Sequence, residues 1–164
     1  MNHNIVIENA RIGFRNFSGK EGRFNPAGRR NFCVFLEPDI ASQLTQDGWN
    51  IKWLEPRNPE EDKQAYLSIA VNFAKMPPKI LVITNKNKTI LQEDTINILD
   101  WAEIENVDLI IHPYNWEVSG KTGIKAYVKS MYVTIVEDQF EAKYRDVPDS
   151  ASNSILEEDD NLPF

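Results

Sequence analysis

Alternation of apolar and polar positions with a period of two recurs along this chain. In residues 65–74, Leu67, Ile69, Val71 and Phe73 fall on one side and Tyr66, Ser68 and Asn72 on the other, the pattern of a half-buried strand. Residues 5–17 alternate over a shorter span. Val6, Ala10, Ile12 and Phe14 share one parity, and Arg11, Arg15 and Phe17 the other, so one strand is predicted with those last three on a common face. Residues 30–36 predict a second strand, and residues 18–28, rich in Gly, Asn and Pro, the long basic loop of a hairpin between them. Pro38 opens a short helix that runs to Gln46 and stops at Gly48. A strand is predicted at 49–54, then a polar loop at 55–63. Met76-Pro77-Pro78 ends the strand begun at 65. Residues 80–84 and 89–91 flank the turn Asn85-Lys86-Asn87-Lys88, and 94–105 read as one helical turn or irregular chain. Two long strands, 107–118 and 124–137, flank Ser119-Gly120-Lys121-Thr122-Gly123, and 138–145 are helical or frayed.

Many short strands, Gly/Pro turns and one or two short helices predict an all-β barrel or sandwich. A five-stranded oligonucleotide-binding (OB) barrel with extended hairpins and loops fits the length. Residues 1–147 are expected to form this single domain and 148–164 a disordered acidic tail. A hydrophobic content of 41% and a charged content of 26% are those of a soluble globule. No apolar run reaches the length of a membrane span. Met1-Asn2-His3-Asn4-Ile5 lacks a signal stretch, and the single Cys33 has no partner for an internal disulfide. Both point to a cytoplasmic location, with Cys33 a packed core thiol. Without a signal stretch, the glycosylation patterns Asn16-Phe17-Ser18 and Asn87-Lys88-Thr89 are chance matches.

The net charge of −7 argues at first against a nucleic-acid partner. Its distribution reverses that. Asp149, Glu157, Glu158, Asp159 and Asp160 carry five of those charges in a segment without a base, leaving the body at −2. Within the body, residues 9–36 hold Arg11, Arg15, Lys20, Arg23, Arg29 and Arg30 against Glu21 alone. Residues 63–92 hold Lys63, Lys75, Lys79, Lys86 and Lys88 with no acid, and 93–108 hold six acids with no base. Basic blocks on a near-neutral body suit a phosphate-binding face. Aromatic residues interleave with these cations, as single-strand binding requires: cations for the phosphates, flat rings for unstacked bases. Lys125, Tyr127 and Lys129 share one face of a strand. Arg11, Arg15 and Phe17 form a similar set, Phe24 stands beside Arg23 and Lys20 in a polar loop, and Trp53 adjoins Lys52. Trp116 follows Tyr114, with Lys121 in the next turn. About half of the seventeen aromatic residues are expected in the core, with Phe24 and Tyr127 the leading candidates for base platforms.

The chain closes on Glu157-Glu158-Asp159-Asp160-Asn161-Leu162-Pro163-Phe164. An acidic run repels itself, so this segment reads as a ligand: charge steers it to a basic patch and Phe164 anchors it. It resembles the tip of bacterial and phage single-stranded-DNA-binding proteins, with Leu162 in place of Ile and Asn161 in place of an Asp. Residues 107–116 with Gly120-Lys121-Thr122-Gly123-Ile124-Lys125-Ala126-Tyr127 also resemble phage-encoded single-stranded-DNA-binding proteins, over most of the body. The resemblance implies an OB-like fold that coats single-stranded DNA and recruits replication, recombination or repair proteins through Glu157, Glu158, Asp159, Asp160, Leu162, Pro163 and Phe164. It implies no cofactor and no catalysis. A homo-oligomer is compatible with it.

Two rivals stand beside this reading: a small nuclease or recombination factor using the acids at 93–108, and an interaction module without nucleic-acid affinity. Other signals are weak. Gly120-Lys121-Thr122 mimics the end of a phosphate-binding loop, but Asn115 occupies the first Gly position and the segment joins two strands. No Cys or His pair offers a zinc site, and His112 before Pro113 reads as a surface or hydrogen-bonded residue.

Overall fold

The computed structural model describes residues 3–74, 77–85 and 87–136. The expected helix at 138–145 and the acidic tail lie outside these residues, as do Lys75 and Lys86. The described strands are β1 (Ile5–Ile7), β2 (Arg11–Asn16), β3 (Arg30–Leu36), β4 (Ile51–Leu54), β5 (Gln64–Val71), β6 (Lys79–Ile83), β7 (Lys88–Ile90), β8 (Ile104–Val118) and β9 (Lys121–Ile135). One helix, α1 (Pro38–Gln46), and a 3-10 turn, Ile96–Asp100, complete the body. Pro38 supplies the preset φ of a first helical position. Gly48, at φ 100°, takes the left-handed turn that ends the helix.

The strands form one mixed sheet in the order β1-β8-β9-β5-β3-β2, with β4 on β5, β6 on β9 and β7 on β6. The path does not close through its ends. β5 is the pivot. One edge pairs with β3 from Arg30↔Val71 to Leu36↔Ala65. The other is shared between β4, at Gln64 to Leu67, and β9, at Ile69 and Ala70. Inward-facing Phe32, Val34, Leu67, Ile69, Leu109, Ile111, Val128 and Met131 join α1's Ala41 and Leu44 in one core. Full burial of each large apolar side chain contributes about 1.5–3 kcal/mol.

The stretch read as one strand at 5–17 is two. Asn9, at φ 53°, turns the chain, and its N–H donates to Asp108 Oδ1 at 3.1 Å. β1 then pairs with β8 and β2 with β3. A bulge follows. Gly13 stands opposite Cys33 and Asn16 opposite Asn31, so three steps on β2 span two on β3. The extra residue reverses parity beyond Gly13. Phe14 swings outward, while Arg15 and Phe17 turn inward. This corrects the expected Arg11–Arg15–Phe17 face. Phe17 is fully buried and stacks on Phe32 at 4.9 Å. Arg15 Nη1 donates to the Leu99 and Ala102 carbonyls at 2.9 and 2.8 Å. The Asp100 carboxylate accepts the Phe17 and Ser18 N–H groups in return. These bonds explain why 96–100 is ordered as a 3-10 turn although its apolar period is indistinct.

Candidate nucleic-acid interface

The outward faces of β3, β4, β5 and β9 form a shallow cleft of about 540 Å³. Register decides which side chains reach it, because residues directly opposite one another share a face. Along β5, Tyr66 faces Phe35 and Lys52, Ser68 faces Cys33, and Ala70 faces Asn31 and Tyr127. Small residues at 68 and 70 leave the floor low, and larger groups rise around it. Arg29, Lys52 and Lys125 supply positive charge, and Phe24 and Trp116 supply aromatic walls.

Each wall has a local cause. The loop between β2 and β3 is tied by Asn25, whose Nδ2 is within hydrogen-bonding reach of the Lys20, Pro26 and Arg29 carbonyls, at 3.0, 3.2 and 3.0 Å. Asn25 Oδ1 accepts from Asn31 Nδ2 at 2.8 Å. Gly22 and Asn25 exchange backbone bonds, so Phe24 rides at the tip of a tight turn. It is 88% exposed, with the Arg23 guanidinium 5.3 Å from its ring. An apolar ring held this far into water has no packing role. Trp116 stands opposite Gly123 in the β8–β9 hairpin. A Cβ at 123 would meet the indole at 2.5–2.9 Å, so glycine allows the ring to lie across β9. Tyr127 stacks against His112 at 5.6 Å and meets the edge of Tyr114 at 6.1 Å. Lys125 Nζ lies 5.4 Å from its ring.

Cys33 is buried, as expected, but lies beside Ser68 on the cleft side of the sheet rather than in the main core. Burial pushes its thiol up from the usual range, with nearby Lys52 and a hydrogen bond to Ser68 opposing. It is therefore a neutral thiol at physiological pH, a poor nucleophile.

Of the residues expected at a nucleic-acid face, the cleft brings together Phe24, Arg29, Lys52, Trp116 and Lys125. Tyr127 borders Lys125, Arg23 borders Phe24, and Arg11 lies at the Phe35 end. Lys20, Lys79, Lys88 and Lys121 are exposed elsewhere. Lys129, expected on one face with Lys125 and Tyr127, is instead the extra residue of a β8–β9 bulge, where the alternation of β9 breaks. Four further placements correct the expectation. Phe17 and Arg15 are turned inward by the bulge. Trp53 pairs with Ala65 and so lies on the side of the sheet opposite Lys52. Arg30 faces Val71, pairs with Glu93 at 3.3 Å and leaves only 18% of its side chain exposed. Phe14, Phe35, Tyr66, Asn31 and Ser68 reach this face without having been singled out. For Phe35 and Asn31 the signal was available, since strict alternation from buried Phe32 and Val34 places them outside.

Three of the six acids at 93–108 have separate structural tasks: Glu93 on Arg30, Asp100 on the Phe17 and Ser18 amides, Asp108 on the Asn9 amide. Among the described residues no cluster of three or more His, Cys, Asp or Glu is placed to hold a metal ion. No helix among them is long and apolar enough to cross a membrane.

No curated protein matches the chain. Among solved structures, it is similar to the single-stranded DNA-binding protein from bacteriophage Enc34 in complex with ssDNA, at 12% identity and a TM-score of 0.52, covering 84% of this chain and 89% of that one. A further structure of the Enc34 protein gives 13% identity and a TM-score of 0.51, covering 92% and 88%. At such identities the likeness shows a shared fold. The sequence itself matches the phage ssDNA-binding domain family over residues 1–163, and the protein therefore belongs to that family.

Proposed function

We propose that this protein binds single-stranded DNA with little sequence preference, as a non-enzymatic coat. One observation carries the reading: three cations and two aromatic walls converge on one open cleft with a low polar floor. Open geometry suits a flexible polymer that threads through, and cations with rings suit phosphates and splayed bases. The family and the ssDNA complex of the Enc34 protein support the same reading. A nuclease is disfavoured because Glu93, Asp100 and Asp108, three of the six acids at 93–108, are engaged in separate structural contacts.

Titration of a labelled oligothymidylate across a salt series tests this. With about four cations on phosphates, the log–log slope is expected near −3 for a single strand. A slope of zero, or divalent-metal-dependent cleavage of the probe, would overturn it.

The acidic segment at 157–164 is read as a partner ligand that recruits replication, recombination or repair proteins in the host cytoplasm. Its four consecutive acids and Leu162-Pro163-Phe164 plug support that reading. Tethered to the body, it also competes with DNA for the cations of the cleft at high effective concentration. Removal of residues 149–164 is expected to tighten DNA binding, most at low salt where screening is weak. Removal of Phe164 alone should leave DNA affinity unchanged and abolish partner capture. Retention of all partners by the Phe164 deletion would dismiss the plug as a ligand.

A further inference from the structure

We infer that Phe14, Phe35 and Tyr66 form a second base-stacking platform, at the end of the face away from Tyr127, and that a bound single strand spans both. The inference rests on the proposed DNA-binding reading and extends it to residues outside the cleft itself. Phe14 is the central observation. It is 59% exposed and sits at φ 48°, a left-handed backbone that a bulky residue adopts rarely. Such strain persists where surrounding structure imposes it, and it concentrates at binding sites. Here the β2 bulge imposes it, and the result is to lift a ring that sequence parity would bury onto the outer face. Phe14 meets Phe35 and Tyr66 edge-on, at 6.0 and 5.9 Å.

The neighbours fit a nucleotide. Arg11 places its guanidinium 5.7 Å from the Phe35 ring, and Lys52 stands opposite Tyr66, so cations flank the rings on two sides. Gly13 is required, because a Cβ there would lie 2.7 Å from Phe35; glycine lets that ring lie across β2. The platform is continuous with the cleft. Tyr66, Ser68 and Ala70 run along one face of β5, and Ala70 faces Tyr127. Four residues of strand separate the two aromatic groups by about 13 Å, a distance for an extended strand of a few nucleotides. An apolar cluster built to dock a protein would have no need of the flanking cations or of alignment with the cleft.

Oligothymidylates of about 4 to 20 nucleotides, titrated against the full chain, test the idea within the site sizes of such folds. Phe14→Ala is expected to lose at least about fivefold in affinity for the long probes and to bind the shortest like the unmodified protein. Tyr127→Ala should weaken every length. Phe14→Tyr, which keeps the ring, should restore long-probe binding. Thermal unfolding supplies the readout that a structural role would move differently: Phe14→Gly relieves the left-handed strain and should unfold no lower than the unmodified protein while binding long probes weakly. Unchanged binding of Phe14→Ala at every length overturns the second platform and leaves the cleft standing. Equal loss at every length together with a lower Tm overturns it as well, as a packing effect. Failure of the unmodified protein to bind any probe removes the DNA-binding reading and this inference with it.

Discussion

Phe17→Ala is expected to destabilise the fold by about 3–5 kcal/mol, the range for a phenylalanine truncated in a close-packed core. A fall in Tm of roughly 10 °C or more should accompany it, while the fraction still folded binds single-stranded DNA with nearly unchanged affinity. The reason is placement. Phe17 has no exposed surface and stacks on Phe32, and its own N–H is held by Asp100. Truncation leaves a cavity whose walls are fixed by β2, β3 and the 3-10 turn, so little collapse can offset it. Phe17→Leu keeps most of the volume and should cost far less. The measurements are thermal or urea unfolding beside a DNA titration below the transition. Intact stability with lost DNA affinity would show that the ring meets bases after all.

The same residue marks the limit of what the sequence discloses. Alternation correctly placed β3, the inward face of β5 and the long strand β8, because nothing interrupts their period over the stretches that face the core. In β9 it holds only to Val128, after which the extra residue Lys129 moves the buried positions to Met131 and Val133. The helix from Pro38 to Gln46 was legible from its Pro start and Gly stop. The face of β2 was not. A single extra residue between Gly13 and Asn16 exchanges its two sides, and a bulge leaves no compositional trace when the residue in the left-handed position is Phe rather than Gly. Asn9 turns the chain just as silently. Trp53 illustrates a different loss. Its adjacency to Lys52 suggested a pair, but consecutive strand residues point to opposite faces, so at most one of the two could reach the cleft. Arg30 is a third case: a basic residue at a strand start reads as phosphate-binding until its distant partner Glu93 is known, 63 positions away in the chain. What was legible was local periodicity. What was hidden depended on register shifts and long-range ion pairs.

Tyr127→Ala is expected to weaken single-strand binding by about 1–3 kcal/mol, or about 5- to 150-fold, the effect of losing one stacked base. Tyr127→Phe should cost little, since the π-face remains. The half-buried ring also organises its neighbours, stacked on His112, edge-on to Tyr114 and near Lys125 Nζ. Loss of affinity alone therefore cannot separate stacking from a displaced lysine. The salt dependence can. Lys125→Met removes a cation and should reduce the magnitude of the log–log slope by about 0.7, with most of its effect gone at high salt, where phosphate contacts are already screened. Tyr127→Ala should leave the slope intact and persist at high salt, because stacking releases no counterions. A Tyr127→Ala variant whose slope falls as it does in Lys125→Met, and whose defect vanishes at high salt, would mean that the tyrosine acts only by holding Lys125 in place. Base stacking would then have to be assigned to Trp116 and Phe24, the remaining rings of the cleft.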